Sequence, residues 1–497
     1  MQAKKTHLNQ AAVAFLFVLT GAYIGLLLWL CADNCFWGDE CYTILKVNGA
    51  KSFYEVATCD SLTNPPLYFL IFKGITLLLG CTPWVYHFVS AVPFILLAML
   101  NVFSVRKHFG TLAGFLFLLI LLIPPHVLDY SLEIRMYSWA AFFVVLCCFE
   151  GYMLLSSKGA KNGIWIRFCL AGIAAAYTHY FAFAAVILIY LLVFGKLIYI
   201  NRTNLRKSLL AIIGSIVCFL PWIGVFFSSV SEVNGDFWIG NILTVWEGFD
   251  YIFENYLVLA LYLATVAVIS IYFYRYVWFR RIGKTIHLKL NPEPSYKDDT
   301  STWMLLSIFI AVTFVLLFQM VYAVIVRPVF VERYIFPAGM ALWASFALSV
   351  GTIPNNRVRK VCGAAFIVIM MLAYGIGLPG HVQANMEDDR GTKSVCDLVT
   401  ESGKAEETYI LTDHPHLAWT VLDYYFPDSQ NEAFSETKEY NFRETGIRTV
   451  WLFMQNRMDE NQITDIQKKI GAKPEYIDSK TFAGSYYSHI YQATITP

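Results

Sequence analysis

Eleven long apolar runs constrain this chain more than any other feature of its sequence. A membrane-spanning helix needs roughly 20 predominantly apolar residues, and most of the runs approach that length. The 497 residues are 57% hydrophobic and 15% charged, whereas soluble domains carry about 25% charged residues. We therefore predict a polytopic α-helical membrane protein with about 11 transmembrane helices. The runs occupy residues 11–30, 83–105, 112–128, 137–155, 164–177, 181–200, 209–227, 252–273, 303–326, 335–350 and 361–378.

One further apolar stretch, residues 66–79, is not counted as a span. It is short, begins next to two prolines and carries Lys73 in its middle, which is typical of an interfacial or half-buried helix. Counting it as a span would place Arg106 and Lys107 outside and reverse every later loop. That reversal would violate the positive-inside rule.

The distribution of charge predicts the orientation of the chain. With this topology, 20 of the 37 basic residues lie on the cytoplasmic side, 6 in the outer loops and 11 in the tail. We therefore expect a multi-pass plasma-membrane protein with a cytoplasmic N-terminus and a retained, uncleaved first helix. The net charge of +1 and the lack of a basic tract exclude nucleic acid as a partner.

Hydrophobicity falls sharply after the last run, which predicts two domains. Residues 1–379 form the transmembrane domain, whose first outer loop, 32–82, carries amphipathic juxtamembrane helices. Residues 380–497 alternate short apolar runs with polar helical stretches, so we expect a small extracytoplasmic α/β domain that helps to hold an acceptor or shapes the site entrance. Five of the eleven cysteines lie in apolar runs, where a thiol is a small hydrophobe, and unpaired cysteines are expected; one disulfide among Cys31, Cys35, Cys41 and Cys59 is the alternative.

The first outer loop contains an acidic pair, Asp39 and Glu40, followed by Tyr42. Two acids beside a bilayer are costly unless they are solvated or used. They are candidates for acid–base chemistry. The alternative is a helix start, with Asp39 as the N-cap and Glu40 as a first-turn charge.

Two further polar clusters lie at predicted helix ends. The first contains Asn64 and Tyr68 around two prolines, and taken alone it is better explained as a plain helix start. The second contains Glu133, Arg135 and Tyr137. If that piece is helical, Glu133 and Tyr137 share a face and Arg135 is left for an anion; the alternative is an interfacial arginine in a tyrosine belt.

A fourth cluster places arginines on the outer side. Arg327 and Arg333, the latter followed by Tyr334, locally break the positive-inside rule. A guanidinium group binds phosphate bidentately, so a lipid phosphate is one explanation. A surface pair between Glu332 and Arg333 is the other. His179, at another outer helix end, is more often a structural residue.

Taken in order, these clusters resemble the motifs of C-type membrane glycosyltransferases, specifically the family 39 group that includes protein O-mannosyltransferases and lipid A aminoarabinose transferases. Asp39-Glu40 with Tyr42 is similar to the outer-loop acidic motif, Asn64-Pro65-Pro66-Leu67 to His-Pro-Pro-Leu, residues 133–137 to Glu-x-Arg-x-Tyr, and Arg333-Tyr334 to the late Arg-Tyr. The resemblance covers about residues 1–380. Asn64 replaces the usual histidine, which removes any role of that imidazole.

The resemblance implies a hexosyl- or pentosyltransferase that moves a sugar from a polyprenyl phosphate to a glycan, lipid or protein acceptor, with inversion. Asp39 would be the general base and Glu40 would orient the acceptor or Asp39. Three arginines would bind the donor phosphate. A divalent ion at Asp39 is compatible with this chemistry, but no second ligand is evident and no metal is assigned. The arginines are Arg135, Arg333 and Arg327, and the pocket residues are Tyr42, Asn64, Tyr68, Glu133, Tyr137, His179 and Tyr334.

The competing class is a transporter or flippase for a lipid-linked or polar solute. Transporters usually contain repeated halves and broken helices with polar residues at the membrane midplane. In this sequence no repeated halves are evident, and the unusual polar residues gather at one membrane face. We therefore favour the enzyme.

Overall fold

The computed structural model describes residues 2–32, 35–58, 64–228, 241–277, 280–282, 285–287, 296–353, 355–435, 437–440 and 442–496. The chain forms two compact units. The first contains Met1–Leu30, Ala57–Ile71 and Phe88–Leu378, and the second contains Cys31–Val56, Phe72–His87 and Pro379–Pro497. The tail therefore shares its unit with two segments from near the start of the chain.

The structure is mainly helical. A π-helical turn, Asn101–Val105, joins α5 to α6, so these two helices run as one. The helices are α1 (Gln2–Leu30), α2 (Gly38–Gly49), α3 (Phe53–Thr58), α4 (Leu67–Leu79), α5 (Pro83–Leu100), α6 (Arg106–Phe109), α7 (Thr111–Leu122), α8 (Pro125–Leu132), α9 (Tyr137–Ser156), α10 (Asn162–Ala176), α11 (Tyr180–Ile200), α12 (Asn204–Phe219), α13 (Val245–Phe253), α14 (Tyr256–Val277), α15 (Tyr296–Ile325), α16 (Phe336–Thr352), α17 (Asn356–Met370), α18 (Leu378–Glu401), α19 (Leu422–Tyr425) and α20 (Glu460–Ile470).

The expected polytopic helical architecture is confirmed. Within the described residues, eight helices are long and apolar enough to cross a membrane, or up to ten if each of two bent helix pairs is one span. The remaining expected run, 164–177, forms α10, which has only 15 residues. Helix α4 is also short, with 13 residues, and neither is among the helices long enough to span.

Helix α16 forms the centre of the first unit. Buried residues make up 89% of its most apolar window, against 0% for α12. Small side chains allow this close packing. A Cβ atom added at Gly351 would lie 2.5 Å from the Cβ of Ala113 and 2.8 Å from the carbonyl oxygen of Phe109, so no larger residue fits there.

Two spans are broken where the sequence predicts continuous ones. Helices α7 and α8 meet at 71°, because Pro124 and Pro125 interrupt backbone hydrogen bonding. Helices α13 and α14 meet at 102°, since Glu254 ends α13 in the left-handed conformation, with φ 47°. The carbonyl groups at this buried helix end take donors from elsewhere, as Trp343 donates to the carbonyl oxygen of Ile252 at 3.0 Å.

The tail contains the expected α/β structure. Its five-stranded sheet has the order β4-β3-β5-β7-β6, with β4, β3 and β5 parallel and β7 antiparallel to both neighbours. Helix α20 packs its buried residues Ile466 and Ile470 into the core beside β5. A separate short hairpin of β1 and β2 lies between α14 and α15. The strands are β1 (Arg280–Ile282), β2 (Thr285–His287), β3 (Thr408–Thr412), β4 (Gln430–Ala433), β5 (Thr449–Met454), β6 (Glu475–Phe482) and β7 (Tyr486–Thr494).

Unpaired cysteines agree with the expectation from the sequence. The ten described cysteines, among them Cys31, Cys35 and Cys41, are free thiols. Cys59 lies outside the described residues.

Lys73 is the one charged residue inside the apolar stretch that forms α4, and its contacts explain why it lies there. Its side chain is buried, and Nζ donates to the carbonyl oxygens of Val47 at 3.1 Å and Ala50 at 2.8 Å. These carbonyls lie at the C-terminal end of α2, where backbone oxygens lack helical partners. The lysine therefore caps α2 with a positive charge, which suits the helix dipole.

Replacing Lys73 with methionine should destabilise the second unit. The variant leaves two buried carbonyl oxygens without a donor, and we expect a loss of about 2 kcal/mol in the free energy of unfolding. Thermal unfolding of the purified protein in detergent measures the effect. Lys51→Met, at an exposed lysine of the same loop, is the control; equal unfolding temperatures of the two variants would contradict the capping role.

Candidate active site

His179 lies in the turn between α10 and α11, where two of the polar clusters meet. Its side chain is buried and it directly precedes α11. The imidazole ring centroid lies 5.6 Å from the ring of Tyr137 and 5.4 Å from that of Tyr334. His179 therefore joins the cluster of Arg135 to that of Arg333.

Two guanidinium groups, those of Arg135 and Arg333, lower the pKa of this histidine. Burial, followed by the positive charges of Arg135 and Arg333, lowers the pKa of His179 to about 3. A third positive charge beside two arginines is unfavourable in a water-poor site, so the imidazole stays neutral. Arg135 and Arg333 therefore carry the positive charge of this site, and an anion is the ligand that such a pair suits.

Two buried polar atoms face this cluster without internal partners. The hydroxyl oxygen of Tyr137 and Nδ1 of His179 have no hydrogen-bond partner among the described residues. Buried polar atoms are nearly always hydrogen-bonded, so such atoms mark positions that a ligand or water can satisfy. The two atoms belong to the side chains of Tyr137 and His179, whose rings contact each other.

The chain around Arg135 is not the continuous helix that would place Glu133 and Tyr137 on one face. Helix α8 ends at Leu132, and α9 begins at Tyr137. Between them, the Arg135 N–H donates to the carbonyl oxygen of Glu133 at 2.7 Å, which turns the chain tightly. Both side chains are half-buried.

Arg333 and Tyr334 lie in a single 3-10 turn, Glu332–Ile335, that precedes α16. The Tyr334 ring stacks on Phe181, with centroids 5.4 Å apart and an interplanar angle of 21°. This contact fixes the turn against the start of α11. Arg327 lies between α15 and the turn and is half-buried.

The Asn64–Tyr68 cluster also reaches this region. The Leu67 N–H donates to the carbonyl oxygen of Tyr177 at 2.9 Å, two residues before His179. Tyr68 is fully buried, whereas Asn64 is half-buried. Three of the four clusters are thus brought together within the first unit by the turn that holds His179.

The acidic cluster lies in the second unit, at the start of α2. The N-cap residue is Trp37 rather than Asp39. Glu40 is buried, and its Oε2 accepts the Trp37 N–H at 3.1 Å, so it caps the helix. Asp39 and Tyr42 are half-buried.

No metal site is evident among the residues whose placement is known. The described part of the chain contains no group of three His, Cys, Asp or Glu side chains placed to hold an ion. A divalent ion at Asp39 therefore stays a hypothesis from the sequence.

The structure adds a second polar group that the sequence did not single out. His126 Nδ1 lies 2.7 Å from Glu254 Oε2, which links the breaks of the two bent helix pairs. Nearby, the hydroxyls of Tyr130 and Tyr251 are hydrogen-bonded, and the Tyr130 ring lies 5.4 Å from that of Tyr137. The partners are more than 100 residues apart in the chain, so no local motif could indicate them; only the Pro124-Pro125 pair marks one break.

Comparison with known proteins supports the fold alone. No protein-family model matches the sequence, and no curated protein matches it. The structure is similar to the crystal structure of ArnT from Cupriavidus metallidurans in the apo state, with a TM-score of 0.55 and 13% identity over 97% of this chain and 98% of that one. It is also similar to ArnT from the same organism bound to undecaprenyl phosphate, with a TM-score of 0.54 and 13% identity over 96% and 97%.

These similarities extend over nearly the whole length of both chains. The chain therefore shares the fold of these ArnT structures, as the motif resemblance implied. The tail, which the motifs did not cover, is included in the match.

The depressed pKa of His179 makes stability depend on pH. The unfolded chain protonates this histidine near pH 6.5, and the folded protein does so only near pH 3. Unfolding therefore takes up a proton at pH 5, and the folded state loses about 2 kcal/mol as the pH falls from 7 to 5. Over the same pH range, the His179→Asn variant should lose about 2 kcal/mol less stability than the wild type.

Unfolding of the wild type and the variant in detergent at pH 7 and pH 5 measures this difference. His416→Asn, at an exposed histidine of the tail, should keep the wild-type pH dependence. The same pH-dependent loss in wild type and His179→Asn would show that His179 is not held neutral.

Proposed function

We propose that this protein is an inverting glycosyltransferase that takes a sugar from a polyprenyl phosphate and passes it to an acceptor hydroxyl on the outer side of the plasma membrane. The observation that carries the proposal is the pair Arg135 and Arg333, which act together on the neutral, buried His179. Such a pair can neutralise the negative charge that develops on the lipid phosphate as its bond to the sugar breaks. Electrostatic stabilisation of developing charge is often the largest catalytic contribution.

The donor class is supported by the ligand of a structural neighbour. ArnT from Cupriavidus metallidurans, which shares this fold, binds undecaprenyl phosphate. In the present chain Arg135 and Arg333 would bind the phosphate of such a donor, with Arg327 as a further candidate. The hydroxyl of Tyr137 and Nδ1 of His179, which lack internal partners, would meet polar atoms of the donor.

Asp39 is the proposed general base. A phosphate monoester is a good leaving group and needs little protonation, so one carboxylate suffices to remove the acceptor proton. This differs from a glycosidase, which uses two carboxyl groups. In-line attack by the activated acceptor oxygen inverts the anomeric carbon, and the lipid phosphate leaves. Glu40 supports Asp39 by capping their shared helix.

Asp39→Asn should abolish transfer while the protein remains folded. The amide keeps the shape of the side chain but cannot accept the acceptor proton, and a general base contributes about 100- to 10,000-fold. The assay uses full-length protein in liposomes with labelled undecaprenyl phosphate mannose, glucose and arabinose, and it measures release of undecaprenyl phosphate. Glu55→Gln, at an exposed carboxylate of the same loop, is the control and should retain turnover.

The same assay separates the enzyme from a transporter or flippase. Transport leaves the bond between sugar and phosphate intact, so a donor that crosses the membrane uncleaved would support the alternative. Full activity of Asp39→Asn would remove Asp39 from the role of base.

Arg135→Gln and Arg333→Gln should each weaken binding of undecaprenyl phosphate. A charge-assisted hydrogen bond contributes about 1.5–3 kcal/mol, so the Kd should rise roughly 10- to 150-fold. Quenching of intrinsic fluorescence on titration with undecaprenyl phosphate measures the Kd. Arg457→Gln, whose guanidinium lies over the Tyr476 ring in the tail, should bind as the wild type does, and unchanged binding in both site variants would argue against the phosphate site.

A further inference from the structure

The tail holds the chain immediately before the acidic pair through Tyr425, at the end of α19. The Tyr425 hydroxyl accepts the Phe36 N–H at 2.7 Å and donates to the Phe36 carbonyl oxygen at 3.3 Å. One side chain therefore engages both polar groups of this residue. Phe36 is fully buried, and its ring contacts Tyr424 of the same helix at 5.3 Å. The backbone three residues before Asp39 is thus fixed to the tail.

A second tail tyrosine lies over the next part of this segment. A Cβ atom added at Gly38 would lie 2.5 Å from the hydroxyl oxygen of Tyr486 and 3.6 Å from its Cζ atom. The tyrosine hydroxyl therefore occupies the space that any side chain at position 38 would need. Only glycine permits this approach, so Gly38 and Tyr486 together set where α2 begins.

Tyr486 also lies within the electrostatic reach of Asp39. Burial, followed by the negative charge of Asp39, raises the pKa of the Tyr486 hydroxyl. Its ring contacts His414 at 5.7 Å, and His414 Nε2 lies 3.5 Å from the hydroxyl of Ser488. Tyr486 is therefore supported from the sheet side and presents its polar end to the start of α2.

The opposite end of α2 is held as well. Lys73 caps its C-terminal carbonyls, and the Asn48 side chain donates to the Tyr86 hydroxyl at 2.8 Å. A 12-residue helix fixed at both ends leaves Asp39 little freedom to shift along or around its axis. A catalytic group needs this kind of support, because a displacement of about 1 Å can cost about 100-fold in rate.

We propose that Tyr425 and Tyr486 are positioning residues for the Asp39 carboxylate, so that the tail holds the general base in place. The inference rests on the proposed function, since it presumes that Asp39 is the base. It assigns the tail a role different from the acceptor binding expected from the sequence. Neither tyrosine touches reacting atoms in this role; each acts through the backbone at residues 36–38.

The first experiment separates turnover from donor binding. In Tyr425→Phe and Tyr486→Phe, full-length protein in liposomes is assayed with whichever labelled undecaprenyl phosphate sugar the wild type consumes. We expect kcat to fall about 10- to 100-fold, with an unchanged KM for the donor and an unchanged Kd for undecaprenyl phosphate. Tyr487→Phe, at an exposed tyrosine next to Tyr486 on β7, is the matched control and should keep the wild-type kcat.

A second measurement does not depend on activity. Hydrogen exchange at the Phe36 amide should accelerate about tenfold in Tyr425→Phe, because its hydrogen-bond acceptor is gone. Tyr487→Phe should leave exchange across residues 36–41 unchanged. Thermal unfolding of all variants checks that the tail itself remains folded.

The close approach at Gly38 provides a third test. Gly38→Ala forces the Tyr486 hydroxyl away, so kcat should fall. In Gly38→Ala combined with Tyr486→Phe, the new Cβ meets a ring carbon at 3.6 Å and Thr420 Oγ1 at 3.8 Å. Both are ordinary contacts, so kcat should equal that of Tyr486→Phe alone. Gly38→Ala combined with Tyr487→Phe should keep the full loss caused by Gly38→Ala.

The outcomes separate the two proposals. Full kcat in both tyrosine variants, with Asp39→Asn inactive, overturns the positioning role while the base assignment stands. Unchanged exchange at Phe36 in Tyr425→Phe overturns the anchoring itself. Full activity of Asp39→Asn overturns the base assignment, and the positioning inference falls with it. Accelerated exchange together with a loss confined to kcat supports the positioning role.

Discussion

Arg135 and Arg333 both lower the pKa of one buried imidazole, His179, and the charge of the candidate site depends on this interaction. Two guanidinium groups close to each other repel strongly when water is scarce. A third cation between them would add to that repulsion, so the histidine is kept neutral. The surrounding rings, which include Tyr137 and Tyr334, exclude water and supply polar atoms. The positive charge of this cluster therefore rests on the two arginines and not on the histidine.

In the second unit, side chains hold both ends of the short helix α2 in place. Helix α2 has polar groups at both ends that its own backbone cannot satisfy. Glu40 and Tyr425 bind backbone groups at and just before the start of the helix, and Lys73 binds those at the end. Each of these partners would be costly if left alone, so they hold one another in place. Their common effect is a fixed backbone around Asp39.

The sequence predicted the spans well, because runs of about 20 apolar residues need no knowledge of their neighbours. It did not predict the breaks in α7–α8 and α13–α14. The first lies at a local proline pair inside a run long enough to be predicted as one span, and the second depends on donors from distant helices. Of the candidate site residues, Arg333 was identified because it breaks the positive-inside rule, and Arg135 because it lies in a polar cluster at a predicted helix end. His179 was ranked low, since a lone histidine carries no local signal. Tyr425 and Tyr486 could not be identified, because only the folded tail brings them to residues 36–38.

The break after α13 has a consequence for the order in which the chain matures during synthesis. The carbonyl oxygens of Ile252 and Phe253 take their donors from Trp343 and Tyr374, which follow 91 and 121 residues later. A ribosome therefore delivers α13 long before these partners exist. Until α16 and the segment after α17 arrive, that helix end needs water or the lipid headgroups for its hydrogen bonds. The bend is completed only when the final spans have entered the bilayer, which makes it a late step in assembly.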